Sequence, residues 1–529
     1  MSNELEFMSR AVASGKMNRR DFLGRAAALG VTVLAAEGLL TRAARAEGPV
    51  KGGLLRAGMT SGASTDTLDP ALAANAVQNN FNKLWGEYLV RRNHDGSLDH
   101  RIAEEIVPSN RGQTWTMKIR DGVEFHDGKT VTPEDVVATL ERHHDKNSKS
   151  GAWGLLQGID TIKANGKEVV LTLKEPNADL PYAMVADHLV IQPNGGKDRP
   201  DAGISAGPYT VSENQPGVRL AGQRFKNFWQ RDVMGHADQV EIIVINDSTA
   251  RTAALQNGSV NMINRVEPKI VDLLKRVSGV KIQTASGAGH YPFNMFCNTS
   301  PFDNNDLRMA LKLAMDRPEL LDKILRGYGK IGNDFPINSS YPLFPDDIEQ
   351  RTFDPEKAAA LYKKSGHSGA ITLRTSEVAF PGAVDAAQLY QQSCAKAGIK
   401  IEIIREPGDG YWSQVWNKQP FSLSYWLGRA TQDQMYSLAY LSTADWNDTR
   451  FLRPDVDKMI FAARGELDQT KRKQMYHDIA VVVRDEGGMI CPFFADFIDA
   501  TGPTVLGFKA HPAGDLMNGY ALAECWTAN

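Results

Sequence analysis

Residues 115–143 read WTMKIRDGVEFHDGKTVTPEDVVATLERH and combine a strand, two turns and the start of a helix. Apolar and polar side chains alternate over Trp115–Ile119, as expected for a strand with one buried face. Two Asp-Gly pairs follow and predict turns. Thr132, Pro133 and Asp135 then match the cap, the first and the third position of a helix N-terminus. This segment therefore predicts a strand joined to a capped helix.

The rest of the chain shows the same mixture of strands and helices. Further strands are predicted at Gly52–Gly62, Glu168–Leu173 and Val240–Ile245, and further helices at Ala76–Leu89, Leu307–Leu325 and from Asp354 to Gly366. Strands at Ala370–Arg374 and Ile399–Ile404 flank a helical pattern over Ala386–Ala397. Parallel strands joined through a helix are typical of an α/β domain, so we assign the α/β class.

Composition and charge narrow the function classes. The chain has 529 residues, of which 42% are hydrophobic and 23% are charged. This is ordinary globular composition, and it excludes a disordered or collagen-like chain. At roughly 100–200 residues per domain, the length predicts two or three lobes. The net charge of -3 provides no broad positive field, so we expect no nucleic-acid partner.

Residues 1–46 are predicted to be an export signal. Arg19-Arg20 and Phe22-Leu23 precede the apolar run Ala26–Ala36, and Ala44-Arg45-Ala46 forms a small-x-small cleavage pattern. The apolar run is too short to span a bilayer, which takes about 20 residues. The arginine pair resembles the twin-arginine (Tat) export signal, which carries folded proteins. The alternative is a buried N-terminal helix with an accidental arginine pair.

We therefore expect a soluble protein in the periplasm, with Met1 or Met17 as its natural start. Four cysteines follow the signal: Cys297, Cys394, Cys491 and Cys525. An oxidising compartment permits bridges among them, and three full pairings are open. The wide spacing contains no Cys-x-x-Cys pair, so we expect no zinc site.

Two short patterns look like catalytic or metal motifs, and we reject both. Gly122 to Thr130 resembles a phosphate-binding loop, but five residues instead of four separate its glycines. His143 and His144 are adjacent on a predicted helix, so they point about 100° apart and cannot share one metal ion. A solvated helix end is the simpler interpretation. No catalytic signature is visible, and we expect no catalysis, no metal and no cofactor.

Four blocks of the chain resemble one known family. Residues 115–143 resemble the "rdGvkFhdGkplta-DVvfsleR" signature of peptide-type (family 5) extracellular solute-binding proteins of ABC importers, which include dipeptide- and oligopeptide-binding proteins. Ala206–Tyr209 with Phe225–Trp229 is similar to that family's Gly-Pro-Tyr and Asn-x-Tyr-Trp stretch. Asp306–Arg317 and Phe353–Leu361 match two further blocks. The blocks occur in the family's order over most of the chain.

The resemblance implies a bilobal periplasmic-binding-protein fold (type II, cluster C-like) with an extra subdomain on the first lobe. The first lobe is expected over residues 47–290, with the subdomain at about 90–205. The second lobe is expected over 291–495, and residues 496–529 return to the first lobe. Members of the family do no chemistry; their lobes close over a solute, which they deliver to ABC permease subunits in the inner membrane. We expect a monomer that binds a small molecule or a peptide.

One departure from the family concerns the ligand pocket. In the family, a second-lobe segment carries a Trp and, three residues later, an Asp that receives the ammonium group of the peptide. Here the segment reads Tyr425-Trp426-Leu427-Gly428-Arg429, and Arg429 stands where the acid is expected. A buried guanidinium repels an ammonium group but holds a carboxylate or phosphate through two parallel hydrogen bonds. We therefore expect an anionic ligand group at this end of the pocket.

This interpretation of the segment has alternatives. In one alternative, Arg429 turns outward or pairs with Asp433. In another, the alignment of this segment with the family motif is shifted by one residue. Trp426 and Tyr425 are predicted to supply flat walls to the pocket, with core packing as their alternative role. Gly428 is included among the predicted ligand-binding residues because it lies between these walls and Arg429.

Three predicted site residues lie elsewhere in the chain. Thr60 and Ser61 end the first strand and are expected to offer hydrogen bonds from the opposite lobe. Asn294 lies in a predicted strand near the crossover between lobes. The aromatic residues Tyr411-Trp412 and Trp416 have roughly helical spacing, which is more typical of a core than of a pocket.

The expected function is therefore that of a substrate-binding subunit of an ABC importer that takes a peptide or an anionic peptide-like solute. Opine-like conjugates and (amino)polycarboxylates, including chelates, are the alternative ligands. Two functions from other classes stay open. An exported hydrolase requires a nucleophile–base pair, and a chaperone-like or adhesion module requires an exposed apolar groove in place of an enclosed cleft.

Overall fold

The first predicted strand is observed at Leu54–Met59 in this computed structural model, at the centre of a seven-stranded sheet. The structure describes residues 2–13, 17–29, 31–32, 36, 39, 48–466 and 468–527. Its strands in chain order are Leu54–Met59 (β1), Val90–Arg92 (β2), Leu98–His100 (β3), Ala103–Ser109 (β4), Thr114–Ile119 (β5), Ile159–Asn165 (β6), Glu168–Leu173 (β7), Tyr209–Gln215 (β8), Arg219–Arg224 (β9), Gln239–Val244 (β10), Met262–Ile263 (β11), Lys281–Ala285 (β12), Phe293–Met295 (β13), Gly329–Ile331 (β14), Ile371–Thr375 (β15), Ile401–Arg405 (β16), Phe421–Leu423 (β17), Met489–Ile490 (β18), Phe493–Ala495 (β19), Phe497–Thr501 (β20), Val505–Leu506 (β21) and Trp526–Thr527 (β22).

The α-helices occur in both halves of the chain. They are Ser2–Ala13, Arg19–Ala28, Ala76–Trp85, Pro133–His144, Trp153–Leu156, Leu180–Ala183, Ser248–Gln256, Val271–Leu274, Asn305–Leu313, Arg317–Leu320, Pro355–Lys364, Ala383–Lys396, Gln432–Ala439, Pro454–Gly465, Gln469–Glu486 and Ala521–Glu524. Single π-helical turns occur at Leu321–Leu325 and Tyr411–Val415.

The seven-stranded sheet has the order β12-β20-β11-β1-β10-β9-β8. Its central strand β1 lies parallel to both β10 and β11. Strand β20, near the C-terminus, pairs with β11 and β12, so the chain returns to this sheet after leaving it. Leu55 and Ala57 of β1 are fully buried, in accord with an apolar core beneath the sheet.

A five-stranded sheet, β16-β15-β17-β13-β18, is built entirely from strands of the predicted second lobe, residues 291–495. Strands β15 and β16 are parallel and are joined through the helix Ala383–Lys396, which confirms the predicted β-α-β unit. The chain passes between the two large sheets after β12 and again before β20. The two sheets with their helices make up the predicted bilobal α/β fold.

A four-stranded sheet, β4-β5-β7-β6, carries the helix Pro133–His144 on one face. Its apolar core is continuous with that of the helices at Gln432–Ala439 and Gln469–Glu486. The helix Trp153–Leu156 lies very close to the helix Gln432–Ala439. A Cβ added to Gly154 would be only 2.5 Å from the Ser437 carbonyl oxygen. This unit is therefore packed tightly against helices that follow the second-lobe sheet.

The capped start of the helix Pro133–His144 is confirmed. The Thr132 Oγ1 accepts a hydrogen bond from the Asp135 backbone N–H at 3.3 Å, and Asp135 Oδ2 accepts one from the Thr132 backbone N–H at 3.0 Å. At the other end of this helix, the expectation of a solvated terminus is wrong for His143. Its side chain is fully buried, with Nδ1 2.6 Å from the Ser150 Oγ.

Two N-terminal helices pack against each other. Phe22 and Ala26 are buried together with Leu5, Met8 and Val12 in an apolar cluster of their own. The cleavage pattern at 44–46 lies outside the described residues. Within the described part of the chain, no helix combines the length and the apolar character that a membrane span requires. All four cysteines are free thiols.

We expect the Thr132→Ala variant to lower the free energy of unfolding by about 1 kcal/mol, because an orphan backbone N–H at the helix start loses its acceptor. The shift in the urea unfolding midpoint measures this effect. Thr130→Ala is the matched control, since Thr130 is exposed two residues before the cap. Equal destabilisation by both variants would contradict a capping role for Thr132.

Candidate functional site

Two adjacent cavities lie where residues from distant parts of the chain meet. The first, which we term the basic cavity, has a volume of about 50 Å³ and a charged lining made of Lys83, Arg91, Arg92, Asp187 and Arg429. The second, the aromatic recess, has a volume of about 30 Å³ and is walled by Trp412, Trp416, Tyr425, Trp426 and Trp446. Leu427 and Arg429 line both cavities.

The segment that carries Arg429 is fixed at both ends. Trp426 exchanges backbone hydrogen bonds with His290, at 2.9 Å and 3.0 Å. Thr431 caps the helix Gln432–Ala439 by accepting from the Gln434 backbone N–H. Between these points, Gly428 approaches Ala288 so closely that a Cβ at position 428 would lie 2.9 Å from the Ala288 Cβ. The close approach explains a glycine here and sets the path of the backbone into the cavities.

Arg429 faces the cavities without a carboxylate partner. Its Nη1 donates only to the carbonyl oxygens of Leu427, at 3.2 Å, and Gly428, at 3.5 Å. Its guanidinium carbon lies 5.6 Å from the centroid of the Trp426 ring, within the range of a cation–π contact. Burial lowers the pKa of Arg429, while nearby Asp187 opposes that shift. The guanidinium is therefore a desolvated donor with unused hydrogen-bonding capacity.

The alternative interpretation in which Arg429 pairs with Asp433 is wrong. Asp433 Oδ1 instead accepts from the Arg464 Nε at 2.8 Å, and both of these side chains are buried. Among the described residues, the hydrogen bonds of the Arg429 side chain go to the Leu427 and Gly428 carbonyl oxygens, and Asp433 is not one of its partners. Arg429 thus stays available to a ligand.

The other charges of the basic cavity are mostly paired. Lys83 Nζ lies 2.8 Å from Asp187 Oδ1. Arg91 contacts Asp99 at 2.6 Å and Glu524 at 2.5 Å. Among the described residues, the ion pairs around this cavity therefore leave out Arg92 as well as Arg429.

One buried carboxylate fixes the walls of the aromatic recess. Asp448 Oδ2 accepts from Trp416 Nε1 at 2.9 Å, from Trp426 Nε1 at 3.1 Å and from Asn294 Nδ2 at 2.8 Å. The Trp446 ring packs edge-on against both indoles, with centroids 5.6 Å and 5.7 Å away. Burial raises the pKa of Asp448 to about 6, although the two indole donors oppose the shift.

Tyr425 joins the recess to the first-strand region. Its ring centroid lies 3.6 Å from the Arg265 guanidinium carbon. Arg265 also forms a buried ion pair with Asp515 at 2.8 Å and donates to the Ser61 Oγ at 3.0 Å. The Ser61 hydroxyl in turn donates to the carbonyl oxygen of Val378 at 3.3 Å, which joins the loop after β1 to the predicted second lobe.

The seven predicted site residues thus separate into two groups. Arg429, Trp426, Tyr425 and Gly428 meet at the two cavities. The other three, Thr60, Ser61 and Asn294, lie outside both linings. Thr60 borders a separate space of about 10 Å³, Ser61 bonds to Arg265 and Val378, and Asn294 holds Asp448. No group of three potential metal-ligating side chains occurs in the part of the chain that the structure describes.

Several lining residues were missed by the sequence analysis. Trp412 and Trp416 were predicted as core; they are largely buried, and they also wall the recess. Trp446 and Asp448 share one loop in which a large aromatic residue is flanked by acids, and that pattern is a usable signal. No pattern in the sequence marks Arg92 as a site residue, because only the tertiary structure brings it close to Arg429.

We expect the stability of the wild-type protein to fall by about 2 kcal/mol relative to that of Asp448→Asn as the pH rises from 4 to 7. The Asp448 pKa is raised from 3.8 to about 6 in the folded state, so between these pH values the folded protein still holds a proton that the unfolded chain has already released. The stabilisation is complete below pH 4 and is lost as the pH passes 6. Asn keeps an acceptor oxygen but has no charge to desolvate.

Urea unfolding of both proteins at pH 4 and pH 7 measures this difference. Asp448→Ala serves as the comparison, since it also removes the acceptor for the two indoles and is expected to be less stable than Asp448→Asn at both pH values. A constant difference between wild type and Asp448→Asn would contradict the assignment.

Comparisons with known proteins agree with this architecture. The family model for bacterial extracellular solute-binding proteins, family 5, matches residues 98–448. The glutathione-binding protein GsiB of Pectobacterium atrosepticum is 22% identical over 481 residues, covering 85% of this chain and 91% of that protein. Two solved structures have the same fold.

The first is Helicobacter pylori DppA in complex with the peptide STSA, with a TM-score of 0.81, 18% identity and coverage of 91% of this chain and 99% of that one. The second is AgaA from A. tumefaciens R10 in complex with agropinic acid, with a TM-score of 0.81, 22% identity and coverage of 90% and 99%. Because the family model spans more than half of the sequence, the chain belongs to the family 5 extracellular solute-binding proteins of bacteria.

Proposed function

We propose that this protein is the substrate-binding subunit of an ABC importer, which captures a peptide or an anionic peptide-like solute between its lobes and delivers it to a permease. Its role is capture and release, without covalent chemistry. The observation that carries the proposal is the Arg429 guanidinium, which lines both inter-lobe cavities and has only backbone carbonyls as partners.

The chemistry of Arg429 selects for an anion. A charged group taken out of water loses hydration, and this cost is offset only by an opposite charge or by a full set of hydrogen bonds. Two carbonyl oxygens supply part of that set. A ligand carboxylate would complete it through paired, charge-assisted hydrogen bonds. A free ammonium group at the same position would add repulsion.

The aromatic recess supplies the rest of the binding surface. Its indole and phenol rings would bury the apolar part of a solute, while Arg429 orients the charged end. The two cavities together have room for roughly six water-sized groups, since each takes at least about 10–15 Å³. A short peptide or an opine-like acid has more non-hydrogen atoms than this, so its binding would require the two cavities to widen. The acid bound by AgaA supports the opine-like alternative.

Closure would use contacts that bridge the two lobes. The Ser64 backbone N–H and hydroxyl donate to Asp409 Oδ1 at 2.9 Å and 2.8 Å. These bonds join the loop after β1 to the second lobe, as the contact of Ser61 with Val378 does. A ligand that touches both lobes stabilises the arrangement in which such contacts form.

Export to the periplasm is part of the proposal. It is supported by the Arg19-Arg20 pair ahead of an apolar run and by the extracellular character of the family. The free thiols agree with twin-arginine export, because a protein that folds before export does so in a reducing compartment. We propose that the exported protein acts as a monomer.

A thermal-shift screen tests the ligand class. We expect N-acetyl-glutamate and tricarballylate, which have no free amine, to raise the melting temperature of the wild-type protein more than Ala-Glu and Ala-Gln, which both have one. At about 100 times its Kd, a ligand adds ~2.7 kcal/mol of stability. Arg429→Gln is expected to weaken binding of the anions by about tenfold or more, because a charged hydrogen-bond partner is lost.

The matched control for this screen is Arg276→Gln, which removes an exposed guanidinium far along the chain from both cavities. The proposed anion preference is wrong if Ala-Gln gives the largest shift, or if Arg429→Gln binds the anions as wild type does. Turnover of any of these compounds would contradict the transport role itself.

Asp409→Ala tests the closure contacts independently of ligand chemistry. Since Asp409 pairs with Ser64 at the surface between the lobes, its loss is expected to weaken binding of every ligand alike, by roughly two- to fivefold. Calorimetric titration with one anionic and one neutral ligand measures the two ratios. A change confined to the anionic ligand would show that Asp409 acts on charge recognition instead of closure.

A further inference from the structure

A second arginine lies at the basic cavity in the same condition as Arg429. Arg92 ends β2, and its Nη1 donates to the Arg429 backbone carbonyl oxygen at 3.2 Å. The Arg92 Nε is buried without a hydrogen-bond partner. Burial lowers the pKa of Arg92, with weak opposing contributions from Tyr341 and Tyr182. Neither neighbour is a carboxylate.

The charges that line the cavity do not cancel. Lys83 is matched by Asp187, and Arg91 is matched by Asp99 and Glu524. His188 also borders the cavity, but burial lowers its pKa to about 4, so it adds no charge near neutral pH. Among the described residues around the cavity, Arg92 and Arg429 therefore remain as two positive charges without ion-pair partners.

Two desolvated cations at one cavity repel each other and have lost hydration. A single carboxylate can satisfy one guanidinium through two parallel hydrogen bonds, and the second guanidinium then stays uncompensated. A solute with two carboxylates compensates both. The two positive charges would also attract such a solute to the cavity.

We infer that the solute carries two carboxylates, one held by Arg429 and the other by Arg92. This inference rests on the proposed function and narrows it from an anionic solute to a dicarboxylate. Arg92 ends β2, whose Val90 shares one apolar core with Trp426, and Arg92 also donates to the Arg429 carbonyl oxygen. The two carboxylates would therefore be held side by side at the basic cavity.

Matched pairs of probes test this inference by isothermal titration calorimetry on the full chain. N-acetyl-glutamate has two carboxylates and N-acetyl-glutamine has one at nearly the same size; N-acetyl-Ala-Glu and N-acetyl-Ala-Gln form a longer pair. We expect the wild-type protein to prefer the dicarboxylate of at least one pair by about tenfold or more.

Arg92→Gln is expected to reduce that preference to about twofold, because it lowers the affinity for the dicarboxylate more than that for the monocarboxylate. Arg92→Lys, which keeps the charge but not the planar fork, is expected to retain part of the preference. Arg276→Gln is the control for loss of an exposed positive charge. Because the readout is a ratio of two affinities in one variant, a general loss of stability does not mimic it.

The inference is overturned if Arg92→Gln keeps the full preference, if the wild type binds both members of each pair equally, or if it binds none of the four probes. These outcomes differ from the results expected if the proposed function itself is wrong. If the proposed function is wrong, no compound of the thermal-shift screen binds, or Arg429→Gln leaves anion binding unchanged.

Discussion

A positive charge held away from water without a counter-charge from the protein is the constraint on which this binding site depends. The Arg429 guanidinium donates hydrogen bonds to two carbonyl oxygens and lies over the face of Trp426. Each of these offsets part of the lost hydration, and none carries a full negative charge. The proposed site is therefore incomplete by itself, and the component that we propose to complete it is an anion.

The carboxylates near Arg429 do not pair with it, because each of them has other partners. Asp187 is the carboxylate with the strongest influence on Arg429, yet Lys83 already holds it at 2.8 Å. Asp433 is engaged by Arg464, and Asp448 is enclosed by two indoles and an amide. Acids are thus present nearby, but each has its own donors. The proposed preference for an anion therefore depends on the pairing of these three carboxylates with other donors as much as on Arg429 itself.

Local signals in the sequence were sufficient for much of the fold. The cap at Thr132 and the β-α-β unit around Ala383–Lys396 depend on residues a few positions apart, and both are observed. The departure at Arg429 was also visible, because a short motif fixes its spacing from Trp426. Residues that act over long sequence distances were not accessible in this way.

Ser61 and Asn294 illustrate that limit. Both carry polar side chains at strand ends or in strands near the crossover, as a ligand contact would, but their partners are Arg265 and Asp448, more than 150 positions away along the chain. Arg92 shows the opposite error, since no residue near it in the sequence indicates a binding role, although it lines the basic cavity. A one-dimensional pattern indicates which side chains are suited to bind something, whereas the pairing of distant side chains determines which of them remain free.

The shared apolar core of the four-stranded sheet and the helices at 432–439 and 469–486 has a mechanical consequence. Parting those surfaces would wet many apolar side chains at about 25 cal/mol per Å², so they are expected to travel as one block. Val90 in the strand of Arg92 and Trp426 in the segment of Arg429 belong to this same core, so both arginines are expected to stay together in the block when the lobes part. Their two neighbouring positive charges repel each other whenever no anion is bound, and the dicarboxylate that we infer would remove that repulsion.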